Sequence, residues 1–246
     1  MFANHTPVAS RPFLSVIVLA SLAVAGIYLG GIVSARAAVI SVSTSDGLVS
    51  PGRDNQGYWK SDSANTNLTN DNFFTNDELT SAHRSYFSFD LGAVTGNVIG
   101  ATLELRRYET DLNATVELFD VSTSATDLAQ RGIIDNSIHA DLGSGVSYGS
   151  LAVGRGISTD ILSFALNSSA FTDINGALGG YFSIGATSIN GTSFINSGGE
   201  PDGSPSFTQR LILVTADTTS VGEPASLALF GLGLAGLGFA RRTRAI

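Results

Sequence analysis

Cysteine is absent from this 246-residue chain, and lysine and tryptophan occur once each, as Lys60 and Trp59. The missing thiols exclude disulfides, Cys-ligated zinc and a cysteine nucleophile. Small exported domains use disulfides when their cores are marginal, but a chain of this length can bury enough surface without them. The near-absence of lysine accompanies abundant Ser, Thr, Asn, Asp and Gly, which is the make-up of a turn-rich β-protein. Positive charge is scarce as well: 13 Lys and Arg stand against 21 Asp and Glu, a net charge of −8.

Two apolar runs at opposite ends distort these totals. Setting the ends aside removes Arg11, Arg36, Arg241, Arg242, Arg244 and Glu223, and leaves eight basic against twenty acidic residues, near −12. The remaining body, roughly 180 residues, has the size of one domain. So acidic a surface repels phosphate backbones, which bind through Lys and Arg, and nucleic acid is excluded as an expected partner.

At the front, Phe13 to Val33 carries no charge and is followed by Ser34-Ala35-Arg36-Ala37-Ala38. Small side chains at Ala35 and Ala37 suit the narrow pockets of signal peptidase, so cleavage is expected before Ala38, with Val39 as the next choice. The run is long for a signal peptide and long enough to span a bilayer, so an uncleaved anchor is the alternative. Gly26, Gly30 and Gly31 loosen the helix just ahead of the site, which favours cleavage.

At the back, Glu223-Pro224 precedes the uncharged stretch Ala225 to Ala240, and Arg241-Arg242-Thr243-Arg244 follows. Sixteen helical residues rise about 24 Å, short of the ~30 Å hydrocarbon core. The terminal arginines hold that end in the cytoplasm. Such a segment makes a temporary stop in the membrane, with the body outside.

Glu223-Pro224-Ala225-Ser226-Leu227 with the arginine cluster resembles the PEP-CTERM sorting signal of Gram-negative bacteria; Gly222 stands where its first proline is usual. That resemblance implies cutting by exosortase, a membrane transpeptidase, and association with an exopolysaccharide matrix. A simple single-span anchor is the alternative. The domain plan is therefore a signal peptide over 1–37, a body over 38–217, and a linker with sorting signal over 218–246. In the last, 225–240 is the hydrophobic helix and 241–244 the arginine cluster.

Within the body the period is two. Phe87, Phe89 and Leu91 alternate with Ser88 and Asp90, and Ala101, Leu103 and Leu105 alternate with Thr102, Glu104 and Arg106. Further alternating runs lie at 39–43, 114–121, 147–153, 160–166, 181–186 and 209–215. Short helices are expected over 123–130, after Ser122, and over 168–178, capped by Ser168 or Ser169. One polar face per strand is what antiparallel sheets packed on one side require. The fold class is all-β, an antiparallel β-sandwich of jelly-roll type; a β-helix is the weaker alternative, because no fixed internal repeat is seen.

His83 to Leu91 and Val98 to Leu105 also resemble the central hairpin of DNRLRE-type modules, exported β-sandwiches similar to carbohydrate-binding modules. Asp141-Leu142-Gly143-Ser144-Gly145, Tyr148-Gly149-Ser150 and Gln209 to Leu213 extend the likeness to PEP-CTERM proteins, over roughly 72–215.

Catalytic constellations are hard to assemble. Gly145-Val146-Ser147-Tyr148-Gly149 fits G-x-S-x-G, but a strand follows it where a nucleophile elbow needs a helix. His83, opening a strand, and His139, in a loop, lack partners at metal spacing. Glu104 and Glu117 are expected to face each other across a hairpin on the solvent side, near Arg106 and Arg107, as a solvated charge face; paired carboxylates for glycoside hydrolysis are the alternative.

The loop 50–81 is rich in side-chain oxygen, including Asp54, Asn55, Asp62, Asn65, Asn67, Asn70, Asp71, Asn72, Asp77 and Glu78. Calcium is the candidate cofactor there, against the plainer reading that Asn and Asp serve turns. Tyr58 and Trp59 in the same loop offer faces for sugar stacking, or else Trp59 plugs one end of the sandwich. The expected function is a non-enzymatic surface or matrix role, structural or carbohydrate-binding, with exopolysaccharide as the candidate partner. A carbohydrate-active hydrolase or lyase with a shallow cleft is the rival.

Overall fold

Alternation in the sequence becomes, among the described residues, nine strands and three short helices. The computed structural model describes residues 37–44, 47–49, 54–65, 73–76, 81–106, 113–156, 160–190, 209–216 and 232–233. The strands are β1 (Ala37–Ser43), β2 (Gln56–Lys60), β3 (His83–Asp90), β4 (Asn97–Arg106), β5 (Ala114–Asp120), β6 (Ser147–Val153), β7 (Ile161–Ala165), β8 (Tyr181–Asn190) and β9 (Arg210–Ala216). The helices are α1 (Ala125–Leu128), α2 (Asn136–Asp141) and α3 (Ser168–Gly176). Residues Arg36–Thr218 form one compact unit.

Two antiparallel sheets run in the orders β1-β9-β4-β7 and β2-β3-β8-β5-β6. With β2 set aside, the first sheet holds the first, eighth, third and sixth of the remaining strands, and the second sheet the second, seventh, fourth and fifth. That is the jelly-roll order. The main core lies between the sheets. Phe87 and Phe89 from β3, Leu118 from β5 and Ile184 from β8 meet Leu103 and Leu105 from β4 and Leu211 and Leu213 from β9, all buried. Alternation along each strand sends these side chains to one face, which is why the period-two pattern is legible.

Four local expectations change. β2 lies within the stretch read as a loop. Its sequence does not alternate cleanly because both of its faces are covered: Gln56 and Trp59, which point to opposite sides, are both buried. His139 stands in α2, not in a loop, on a helix capped by Asp135, whose carboxylate accepts from the backbone N–H groups of Ser137 and Ile138. The cap of α1 is Ser124, two residues beyond the expected Ser122, and that of α3 is Asn167, one before Ser168.

Glu104 and Glu117 do not face each other across a hairpin, because β4 and β5 belong to different sheets. Glu104 stands opposite Arg210 and Ser163, and Glu117 opposite Ser150 and Thr187. Strands joined in sequence show the same alternation whether they pair or arch from one sheet to the other.

Ala37 pairs with Ala216 and Ala216 with Asn97, so both ends of the body leave the sandwich at the same end. β3 runs from His83 to Asp90 and feeds β4 at Asn97. His83, and Lys60 paired with it, therefore mark the opposite end.

Candidate functional site

That far end is built on the β2–β3 pair. Tyr58 lies opposite Ser85 and Lys60 opposite His83, and alternation puts these four on the side of β3 that carries Phe87. Phe73, next to Phe74, is buried in the main core against Phe87, with ring centroids 4.9 Å apart. Phe74 is held by its backbone N–H donating to Ser85 Oγ at 2.8 Å. Its ring meets His83 edge-on at 4.6 Å, Tyr58 lies 5.2 Å from His83, and Tyr58 and Phe74 are 6.4 Å apart.

Offset and edge-on contacts of this kind are the favoured aromatic geometries. All three rings are half-buried. His83 Nδ1 sits 2.8 Å from the Ser81 carbonyl and 3.1 Å from Asn76 Oδ1. A carbonyl only accepts, so Nδ1 carries the proton and the imidazole is fixed in orientation. Burial raises the Tyr58 pKa, which keeps its phenol neutral at ordinary pH. The Lys60 ammonium stands 5.9 Å over the Tyr58 ring.

Trp59 takes the other face of β2, and this corrects the expectation that it could stack on sugar. It is 0 % exposed and packs with Tyr86, Leu128, Ile138 and Leu142 in a second core. Its indole Nε1 donates to the Leu128 carbonyl at 3.2 Å. The segment bearing α1 and α2 thus caps the outer face of the five-stranded sheet. The cap sits very close: a Cβ on Gly185 of β8 would come within 2.5 Å of the Leu142 carbonyl oxygen.

The motif Asp141 to Gly145 is the hinge of this cap. Asp141 accepts from the backbone N–H and hydroxyl groups of both Ser122 and Thr123 at 2.7–3.1 Å. Burial alone would raise its pKa, but these four bonds pull it below the ordinary carboxylate value. Gly145 has φ of +95°, a conformation side chains rarely adopt, and its Cα approaches the Asp120 carboxylate closely.

Arg84 donates from Nη1 to the carbonyls of His139 and Ala140 at 2.9 and 3.0 Å. Beneath it, His139 is buried, and its Nε2 has no hydrogen-bond partner among the described residues. Burial, then the Arg84 charge, lowers the His139 pKa from 6.5 to about 4, against an opposing hydrogen bond with Ala82. The unfolded chain therefore binds a proton first as pH falls, so stability is full above about 6.5 and drops down to about 4. The loss is on the order of 2 kcal/mol. Denaturant midpoints at pH 7 and 4.5 check this: His139→Leu is expected to shrink the acid-side drop by that amount. An unchanged drop refutes it.

The oxygen-rich loop does structural work where it is described. Asp62 Oδ1 accepts from the Ser63 and Ser81 hydroxyls, and Asn55 Oδ1 accepts from Leu48 N–H at 2.7 Å. Asn65 donates to the Gln130 carbonyl and accepts from Ile133 N–H at 3.0 Å, tying the loop to the α1–α2 cap. Among the described residues no group of three His, Cys, Asp or Glu stands where it could hold a metal. Asn67, Asn70, Asp71, Asn72, Asp77 and Glu78 lie outside the described residues, as does Arg107. Ser147 lies in β6 and its neighbourhood is strand, not a nucleophile elbow.

Of the processing residues, Ala37 opens β1 at its exposed start, so cleavage before Ala38 would trim the strand by one residue. Ala35, Glu223, Pro224, Arg241, Arg242 and Arg244 lie outside the described residues. Among the described residues no helix is long and apolar enough to cross a membrane; the runs 13–33 and 225–240 fall outside them but for Leu232 and Gly233.

By architecture the body is a jelly-roll β-sandwich with a helical cap on one face and an aromatic–lysine cluster at one end. The PEP-CTERM protein-sorting motif matches residues 220–244. The protein is thus an exported, exosortase-sorted protein of the cell envelope or surface. No curated protein matches the chain.

The sequence singled out Tyr58 but missed Lys60, Phe74 and His83 as its companions. The available signal was the two-residue spacing of Tyr58 and Lys60, which puts both on one face of a strand.

Proposed function

We propose that the protein is a non-enzymatic component of a Gram-negative cell surface or matrix, whose jelly roll holds exopolysaccharide after the tail has been released from a transient membrane stop. The observation that supports this reading is the half-buried ring cluster Tyr58–Phe74–His83 at the end of the sandwich away from Ala37 and Ala216. Sugar rings have flat C–H faces that stack on aromatic side chains, with hydroxyls left for polar neighbours.

The rival is a carbohydrate-active enzyme. Its strongest carboxylate pair, Glu104 and Glu117, is split between the two sheets, which weighs against it. The protein recovered from cells is to be incubated with a panel of polysaccharides, with retention and turnover followed separately. Retention without release of reducing or unsaturated ends, lost in Tyr58→Ala, is expected. Release of such ends sinks the non-enzymatic reading, and no retention on any glycan sinks the sugar-binding one.

A further inference from the structure

Lys60, the chain's single lysine, stands at the aromatic cluster of an otherwise acidic body. The described arginines, Arg84, Arg106, Arg131, Arg155 and Arg210, each have partners of their own. Arg84 donates to two carbonyls of the cap, Arg131 donates to the Asp54 carbonyl at 3.3 Å, and Arg210 lies opposite Glu104. Lys60 is half-buried, and its ammonium stands against the Tyr58 ring.

We propose that this cluster is a subsite for an acidic sugar, a uronate residue of an extracellular polysaccharide, with Lys60 taking the carboxylate and the Tyr58 and Phe74 rings the C–H face. The inference rests on the glycan-binding reading above and narrows it. A lysine head on a flexible stem acts as a point charge that swings from a ring face to an entering anion. The contact it gives up is weak, because a cation at the 6 Å limit of ring attraction gains little. The ion pair it gains is worth more than an exposed one, since three rings shield one side from water. Elsewhere the body's negative charge repels a polyanion, so this end is the foothold such a chain would find.

The test uses protein recovered from cells. It is titrated with oligogalacturonate and, separately, with a neutral glucan oligomer of equal length. Binding is read by calorimetry and by acetylation of Lys60, which as the single lysine reports this site alone in peptide mass spectra. The uronate oligomer is expected to protect Lys60 from acetylation and the glucan not to. Lys60→Gln is expected to weaken uronate binding about tenfold, or 1.4 kcal/mol, with Lys60→Arg retaining most of it.

Tyr58→Phe keeps the ring and is expected to bind, whereas Tyr58→Ala is not. Uronate binding unchanged in Lys60→Gln, or Lys60 acetylated equally with and without the oligomer, overturns the proposal. Binding of glucan but not of uronate overturns it while leaving the glycan-binding reading intact. Binding of neither overturns both.

Discussion

Trp59→Ala is expected to destabilise the body by about 3–5 kcal/mol, the cost of emptying a fully buried aromatic site. The indole is the largest side chain of the second core, and it also donates a hydrogen bond to the Leu128 carbonyl of α1. Removing it leaves a void beneath Leu128, Ile138 and Leu142 and strips the Leu128 carbonyl of a donor. Collapse cannot refill the void cheaply, because Gly185 already holds the cap backbone at contact distance.

Guanidinium unfolding followed by far-UV circular dichroism measures the effect without needing the lost fluorophore. A change under 1 kcal/mol would show that the cap is not a core element. Trp59→Ala is also the wrong probe for sugar binding, since any loss of retention would report unfolding. Tyr58, half-buried on the opposite face, is the probe that separates the two.

Processing carries the second large effect. Protein recovered from cells and medium is expected to start near Ala38 and end near Glu223 by intact mass, and the full-length form to be a minor species. Replacing Glu223 and Pro224 with alanine is expected to leave the mass of the apolar stretch and arginine cluster attached and the protein in the membrane fraction. Sixteen apolar residues stop in a bilayer but hold there poorly, so the terminal arginines are needed as well. Full-length mass at both ends in the unaltered protein would refute cleavage and leave two permanent anchors.

β9 adds a constraint on timing. It is the last strand among the described residues, yet it sits between β1 and β4 and buries Leu211 and Leu213. The four-stranded sheet cannot close until residues up to Ala216 have been exported.

Composition and spacing alone carry the sorting motif at residues 220–244, the acidity of the body and the all-β class. End signals are linear: peptidases and the bilayer read them from an extended chain, so composition and spacing suffice. Strand identity is nearly linear too, because alternation is local. Only the tertiary structure decided which of two adjacent aromatics meets solvent. Tyr58 and Trp59 point to opposite sides of β2, and both sides of that strand face apolar residues. A strand's own residues do not say that a helical cap from residues 122–145 will cover one side.

Pairing partners are equally non-local. Glu104 and Glu117 look like hairpin neighbours, yet β4 and β5 part into different sheets. Lys60, inside the stretch read as a loop, and His83, just beyond it, become neighbours through register alone. The charge of −12 was visible in the composition; that its lone lysine stands over an aromatic cluster, at the end of the sandwich opposite Ala37 and Ala216, required the fold.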